Sequence, residues 1–278
     1  MTYQVFAAGD AGAAKRMAEY LSEEIARKEM ATRLSKYYGD GVTTDAEFVT
    51  EAIPRADMHP SIANLLEIDA TKPLTTGQVT WLLTGLTAQG NEIPDRPLPK
   101  EGQMRISAID FCVSGPKSFD VAYALAPTDA ERAILDKCFQ TASDKIMDVV
   151  AETIGTVKVG ADSKGVREKG HVAVIGFDHY TARPTVQIAN GEDTELVRPG
   201  VFGDPKRHKH FIAIATCAAD SRNGSFHQHV IKDHIHEWGA LFQAFLGTEL
   251  RKHGINVELD SRQGLRPHER MLRLTDVA

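Results

Sequence analysis

The chain has 278 residues, 42% of them hydrophobic, and a formal net charge of −6 at pH 7. This length and composition allow one large domain with a sizeable core and exclude a disordered chain. No apolar run approaches the roughly 20 residues that a membrane span needs, and the N-terminal sequence MTYQVFAAGD lacks a signal-peptide pattern. We therefore expect a cytoplasmic protein without a membrane partner, and the acidic balance argues weakly against nucleic acid as a partner. The three cysteines lie far apart in apolar contexts, which predicts reduced core thiols.

The first hundred residues are predicted to consist of helices and loops. Residues 13–38 contain strong helix formers without Gly or Pro, so they are predicted as one helix that ends at the Gly-Asp-Gly sequence. A second helix is predicted from Thr44 to Ile53, and the proline-rich residues 92–103 are predicted as an exposed loop. Three of the six tyrosines lie in the first of these helices, namely Tyr20, Tyr37 and Tyr38.

A β-strand is predicted from Arg105, where alternating apolar residues lead into a Ser-Gly-Pro turn. Asp110 shares one face of this strand with apolar residues and is therefore a lone carboxylate among them. Two helices are predicted next, at residues 117–126 and 128–155, and the second begins with a capping box.

Two further strands are predicted at residues 171–183 and 208–217. The segment between them contains Gly and Pro, and it is expected to form a hairpin or a flexible loop over a site. The last long element is an amphipathic helix at residues 232–254. Strands separated by helices indicate an α/β sandwich in which helices cover a central sheet.

Two histidines stand one residue apart at the start of the last strand. Alternate residues of a strand point to one face, so His208 and His210 can hold one metal ion, with His179 of the preceding strand as the third ligand. Three imidazoles leave positions open for substrate oxygens or water, as a catalytic metal requires. A His-x-His pair is also common by chance. Two other pairs are assigned to the surface or to DNA contacts, because they lie in a turn and at a helix start: His227 with His229, and His234 with His236.

Asp110 and the tyrosines each allow a structural and a catalytic interpretation. Asp110 is either a satisfied hydrogen-bond acceptor or a group that orients a ligand histidine or accepts a proton. A helical tyrosine usually packs against its neighbours. As a nucleophile, its phenol needs a nearby cation or base, because the ordinary pKa of the group is about 10.

Three blocks of sequence follow one another in an order that carries a resemblance. The first block matches at Asp110, Ser114, Pro116, Lys117 and Ser118, the second at Phe177, His179 and Arg183, and the third at Asp204, Pro205, His208 and His210. In this order the blocks resemble the MobF class of conjugative relaxases, which are HUH endonucleases. The chain differs from the family pattern at Ala182, where the family has Ser, in the additional segment 184–203 and in the spacing of its tyrosines.

The resemblance implies a fold and an activity. The fold would be α/β, an α+β two-layer arrangement in which helices flank a central, mainly antiparallel sheet. One relaxase domain would cover residues 1–278, with the tyrosines in residues 1–100, the sheet and metal site in residues 101–278, and no helicase domain. The activity would be site- and strand-specific cleavage of single-stranded DNA in conjugative transfer, through a 5′-phosphotyrosine intermediate. The implied partner is single-stranded DNA at an origin of transfer or a similar nick site, with accessory DNA-binding and secretion-coupling proteins as further candidates.

The resemblance also implies roles for the candidate residues. His179, His208 and His210 would hold a divalent metal ion, which could be Mg²⁺, Mn²⁺, Zn²⁺ or Ni²⁺. The nucleophile would be Tyr20, Tyr37 or Tyr38, of which Tyr20 is favoured by its position. Asp110 would orient a histidine or accept the tyrosine proton. The basic residues expected to contact DNA phosphates are Lys117, Arg183, Lys206 and Arg207.

Two other functions remain as alternatives. A rolling-circle replication initiator has a related site, but it carries its tyrosine after the His-x-His pair, whereas the clustered tyrosines of this chain come before it. A non-catalytic DNA-binding or metal-storing protein of the same fold is the second alternative, because the net charge is negative and the tyrosine spacing is irregular.

Overall fold

The structure, a computed structural model, describes residues 1–22, 51–96, 98–101, 103–158, 166–182, 186–190, 193–197, 205–220, 222–259 and 272–274. The strands are β1 (Thr2–Ala7), β2 (Ile53–Pro54), β3 (Ile106–Ser114), β4 (Thr156–Lys158), β5 (Arg167–Thr181), β6 (Val186–Asn190), β7 (Asp193–Val197), β8 (Pro205–Ala219), β9 (Asn223–Ser225), β10 (Val257–Leu259) and β11 (Leu272–Leu274). The helices are α1 (Ala11–Ser22), α2 (Pro60–Leu65), α3 (Thr76–Thr84), α4 (Lys117–Ala124), α5 (Asp129–Ile154) and α6 (Ile231–Lys252). None of the described helices is long and apolar enough to cross a bilayer.

A seven-stranded sheet forms the centre of the molecule. Its main path runs β1-β3-β8-β5-β2, while β4 pairs with β5 and β9 pairs with β8. Neighbouring strands are antiparallel throughout. The two central strands, β5 and β8, have 15 residues each. The predicted antiparallel sheet flanked by helices is therefore confirmed.

Helices cover both faces of this sheet. On one face, α5 and α6 pack over a core that includes Phe111, Phe211 and Trp238. On the other face, α1, α2 and α3 pack over a second core that includes Phe177 and Ile212. Each of these side chains is at most 2% exposed, and burying one contributes about 1.5–3 kcal/mol. The two cores hold β5 and β8 rigidly from both sides.

The first hundred residues contain an edge strand that the sequence interpretation missed. Strand β1 pairs with β3, and in their register Thr2 lies opposite Cys112 and Gln4 opposite Asp110. The sequence Thr-Tyr-Gln-Val-Phe is rich in β-branched and aromatic residues, which is the local signal for a strand. This strand brings the N-terminus to the end of the sheet that carries the candidate site.

The two predicted N-terminal helices have different outcomes. The first is present from Ala11 to Ser22, and its predicted continuation lies outside the described residues. The predicted end of the second is wrong, because Ile53 lies in β2 and pairs with Gly176 of β5. A residue before proline is restricted to extended backbone, and Pro54 follows Ile53.

The later elements agree closely with their predictions. Strand β3 and helices α4 and α5 lie at the predicted positions, and the Thr128 side chain accepts a hydrogen bond from the amide of Glu131 at the start of α5. The segment before β8 contains a hairpin, since β6 and β7 pair in antiparallel register. Helix α6 is followed by Gly254, whose φ of 75° suits a residue without a side chain.

Candidate active site

Three histidines from the two central strands meet at one end of the sheet. His179 on β5 lies opposite His208 on β8, and Phe177 lies opposite His210. The candidate ligand atoms of the three histidines all lie within 4.8 Å of one another. The ring centroids are 5.0, 5.0 and 5.3 Å apart. In the part of the chain that the structure describes, this is the one group of His, Cys, Asp or Glu close enough to hold a metal ion.

Asp110 on β3 contacts one of these histidines directly. The Nδ1 atom of His210 lies 3.0 and 2.8 Å from the two carboxylate oxygens of Asp110, which is itself 4% exposed. Burial alone would lower the pKa of His210, but hydrogen bonds to Asp110 and Cys112 and the negative charge of these groups outweigh burial and raise the pKa to about 11. The carboxylate keeps the proton on Nδ1 and leaves Nε2 as the candidate metal ligand.

The other two imidazoles are oriented by main-chain carbonyl groups. The Nδ1 atom of His208 lies 2.9 Å from the carbonyl oxygen of Lys206, and the Nε2 atom of His179 lies 3.1 Å from that of Leu21. Since a carbonyl oxygen only accepts, each of these nitrogens carries a hydrogen, and the opposite nitrogen is the candidate ligand. Burial lowers the pKa of His208 to about 3, so its imidazole is neutral. A neutral imidazole with one oriented N–H fits a divalent metal ion, and His208 has this form, whereas a metal ion at Nε2 of His210 would displace the second proton of that ring.

Tyr20 lies beside the histidine cluster. Its ring centroid is 6.4 Å from that of His179 and 6.2 Å from that of His210, with the rings in edge contact. Helix α1 holds it there because Ala18 and Leu21 are fully buried against the sheet. The other two candidate nucleophiles lie outside the described residues: Tyr37 and Tyr38.

A cleft of about 380 Å³ opens over the site. Tyr20, Asp110 and the two histidines of β8 line it, together with Thr2 and Gln4 from the missed strand β1. Cys112 also borders this cleft and is partly exposed, so the prediction of a core thiol is wrong for this cysteine. Cys112 lies opposite His210. The sequence could have indicated this position, because Cys112 shares one strand face with Asp110. Cys138 and Cys217 are buried as predicted.

Comparison with known protein families identifies the chain. The family described as TrwC relaxase matches residues 14–273. The chain belongs to the TrwC relaxase family. Membership makes it a conjugative relaxase, an enzyme that nicks DNA by transesterification. A comparison with curated protein sequences gave no significant match.

Solved structures of the conjugative relaxase TrwC share the fold of this chain. A metal-bound complex with oriT DNA superposes with a TM-score of 0.62 at 17% identity and covers 100% of this chain and 76% of that one. A complex with a 27-mer DNA comprising the recognition hairpin and the cleavage site has a TM-score of 0.62 at 15% identity, with 100% and 75% covered. A copper-bound complex with oriT DNA has a TM-score of 0.61 at 18% identity, with 98% and 75% covered. At these identities the likeness shows the relaxase fold.

The basic residues predicted to contact DNA lie in different environments. Lys206 is exposed at the cleft. Lys117 is exposed at the start of α4, with its Nζ 3.3 Å from the carbonyl oxygen of Pro205. Arg183 lies outside the described residues. Among the described residues, Lys206 therefore places a positive charge at the cleft, and Lys117 lies near the start of the same strand, β8.

Arg207 requires a correction. Its side chain has no exposed surface and is paired with Asp136 and Asp178 on the face of the sheet opposite the histidines. A guanidinium already enclosed by two carboxylates has no free face for a phosphate, so we remove Arg207 from the predicted DNA interface. Strand alternation was the available signal, since residues next to His208 must point away from it.

The two other His-x-His pairs do not join the site. His227 and His229 have ring centroids 6.4 Å apart, with His227 directly before the short 3₁₀ turn that precedes α6 and His229 within it. His234 is exposed on α6, where its Nδ1 lies 2.7 Å from a carboxylate oxygen of Glu237. Neither pair belongs to a metal-binding group among the described residues.

Proposed function

We propose that this relaxase cleaves one strand of DNA by attack of the Tyr20 hydroxyl on a phosphodiester, in a reaction that depends on a divalent metal ion. The observation that carries the proposal is the position of the Tyr20 ring, which contacts His179 and His210 and lines the same cleft as His208 and His210. A nucleophile and an electrophilic centre must act on the same phosphorus atom, and the contact of the Tyr20 ring with two of the three imidazoles supports this pairing.

His179, His208 and His210 would hold the metal ion. When bound there, the ion would offset the charge that develops on the phosphate oxygens in the transition state. Imidazole ligands suit Mn²⁺, Zn²⁺, Ni²⁺ or Cu²⁺, whereas Mg²⁺ prefers oxygen ligands. We propose a transition metal on this ground.

Tyr20 and Asp110 have different roles in the proposed reaction. The Tyr20 oxygen forms a bond to phosphorus while the bond from phosphorus to the 3′ oxygen breaks, and the phenol proton ends on the released 3′ hydroxyl. The 5′-phosphotyrosine conserves the ester, so the reverse reaction rejoins the strand. Asp110 acts through His210, whose Nδ1 proton it holds, rather than on the tyrosine. Its two oxygens are already engaged with that ring.

Single-stranded DNA is the proposed substrate. Lys206 and Lys117 would contact its phosphates and fix its path without reading its sequence. The solved relatives are complexes with oriT DNA, which makes an origin of transfer the first sequence to test. One relaxase domain over residues 1–278, acting in the cytoplasm, stays a prediction, as do the accessory protein partners.

The test is formation of a covalent protein–DNA adduct. The protein is incubated with Mn²⁺ and end-labelled single-stranded oligonucleotides tiled across the DNA beside its own gene, and the products are separated under denaturing conditions. We expect an adduct with at least one oligonucleotide, and we expect Tyr20→Phe to abolish it. Tyr123→Phe is the matched control, because this tyrosine stacks on Tyr180 away from the histidines.

The outcomes separate the alternatives. An adduct that survives Tyr20→Phe but disappears in Tyr37→Phe or Tyr38→Phe would move the nucleophile and leave the relaxase activity standing. No adduct with any oligonucleotide and any of Mn²⁺, Zn²⁺, Ni²⁺ or Mg²⁺ would favour the non-catalytic DNA-binding alternative.

A further inference from the structure

A buried ion pair lies directly behind the histidine cluster. Arg207 precedes His208 on β8 and Asp178 precedes His179 on β5, so strand alternation points both to the face opposite the imidazoles. One Nη2–H of Arg207 donates to Oδ1 of Asp178 across 2.5 Å. The arginine side chain is 0% exposed and that of the aspartate 20%. This pair links the two strands that carry the ligands.

The ladder between these strands is irregular at the same place. The pairing of β5 with β8 shifts register between His179 and Thr181. The amide of Arg207 donates to the carboxylate of Asp120 on α4, at 2.8 Å. A register shift leaves ladder hydrogen bonds unmade, so side-chain contacts must supply part of the restraint between the strands.

The guanidinium group supplies several such contacts at once. Its Nη1 donates to the carbonyl oxygen of His208 at 3.1 Å, and its Nε donates to Asp136 of α5 at 2.9 Å. Its plane lies between two aromatic rings, 4.5 Å from the centroid of Phe139 and 4.4 Å from that of Tyr180. The planar guanidinium is therefore held on both faces by aromatic rings and at its edge by hydrogen bonds, one of which ends on the main chain of His208.

We propose that Arg207 and Asp178 are positioning residues that fix the separation of His179 and His208 and thereby set the affinity of the site for a divalent metal. The inference rests on the proposed function, because it assumes that the three histidines hold the ion. Groups that orient metal ligands typically change metal affinity by about 10- to 100-fold when they are removed.

The experiment compares Mn²⁺ binding by isothermal titration calorimetry in three variants of the whole chain. We expect Asp178→Asn to weaken Mn²⁺ binding about 10-fold or more, since the neutral amide no longer holds the guanidinium. Arg207→Lys keeps the charge but cannot bridge the carboxylates and the His208 carbonyl together, so we expect a similar loss. The visible spectrum of bound Co²⁺ should change in both variants, because it reports ligand geometry.

Glu249→Gln is the matched control. Glu249 is 7% exposed and pairs with Lys145 across α5 and α6, away from the histidines. We expect this variant to lower the thermal midpoint while keeping Mn²⁺ affinity within about twofold, since it touches no ligand strand. If Asp178→Asn does not fold, Arg207→Lys carries the test, and Asp136→Asn, which leaves the pair of Arg207 and Asp178 in place, is expected to weaken Mn²⁺ binding less.

Two outcomes would overturn the inference, and they differ. If the parent protein binds Mn²⁺ and forms the DNA adduct, but folded Asp178→Asn and Arg207→Lys bind Mn²⁺ equally well, only the positioning role is wrong. If the parent protein binds no divalent metal at all, the three-histidine metal site itself is wrong and the positioning role falls with it.

Discussion

The two faces of β5 and β8 carry polar residues at the same end of the sheet and use them differently. On one face, His208 and His210 lie at the bottom of a cleft and each keeps one ring nitrogen for an external ligand. On the other face, Arg207 is enclosed by helix α5, two carboxylates and two aromatic rings. Alternation along a strand decides which residue faces which side, and the covering helices decide which side can bind.

The pKa values of the ionisable groups also differ between the enclosed face and the cleft face. On the enclosed face, burial lowers the pKa of Arg207, but Asp178 and the other anionic groups around it outweigh burial and raise it. Burial raises the pKa of Asp178, but the charges of Arg207 and Lys209 outweigh burial and lower it. On the cleft face, His208 is neutral because burial lowers its pKa to about 3. Charged groups compensate one another on the enclosed face, while the cleft face combines the neutral His208 with the ion pair of His210 and Asp110.

The largest expected effect is on the cleft face. His208→Ala removes one of the three proposed ligands, and we expect it to lower bound metal and the DNA cleavage rate by more than about 100-fold, beyond the loss typical of a group that only orients a ligand. His234→Ala should change neither, because His234 lies exposed on α6 beside Glu237. Metal content after purification and single-turnover cleavage measure both. Equal metal content in the two variants would contradict the division between the faces.

A pH-dependent effect is expected on the enclosed face. Burial raises the pKa of Asp120 to about 7, from 3.8. The folded protein therefore holds a proton that the unfolded chain releases, so this group loses stability as the pH rises from 3.8 through 7. Asp120→Asn keeps the oxygen that accepts the Arg207 amide but cannot ionise.

We expect Asp120→Asn to be more stable than the parent at pH 8 and to have a smaller advantage at pH 5, and we expect this advantage to change by on the order of 2 kcal/mol between the two pH values. Urea unfolding at the two pH values measures the difference. If the difference in unfolding free energy between the parent and the variant is the same at both pH values, Asp120 is ionised in the folded protein at both.

The smallest expected effect concerns the rim of the cleft. Lys206→Ala removes one exposed charge, so single-stranded DNA should bind a few-fold more weakly whatever its sequence, with a salt dependence reduced by about one ion. Lys137→Ala, an exposed lysine on α5, is the control. Fluorescence anisotropy across a series of salt concentrations measures both. A loss confined to one DNA sequence would mean that Lys206 reads bases.

The alternation of side chains along a strand was enough to predict the histidine cluster, but the sequence interpretation did not apply the same rule to Arg207. It correctly placed His208, His210 and His179 on one face, because a strand allows no other arrangement. The same rule places Arg207 on the opposite face, and the local run of basic residues obscured this. Basic residues that are adjacent in a strand point alternately to its two faces, so a run of basic residues in the sequence does not form one basic surface.

Other parts of the site depend on contacts between distant residues. Asp110 and His210 are 100 residues apart, and Leu21 and His179 are 158 apart. Strand β1 pairs with a strand that follows it by about a hundred residues, so no local pattern shows that Gln4 lies opposite Asp110. The sequence left two interpretations of Asp110 open, and its contact with His210 supports the proposal that it orients a ligand histidine.

The sequence by itself determined β3, β5 and β8 and the shared face of the three histidines, because these follow from local periodicity and spacing. Only the tertiary structure decided that Tyr20 lies beside the cluster, that β1 borders the cleft and that Arg207 is enclosed. Each of these depends on which helix or strand packs against which face, and that choice is made by burying apolar surface across the whole chain.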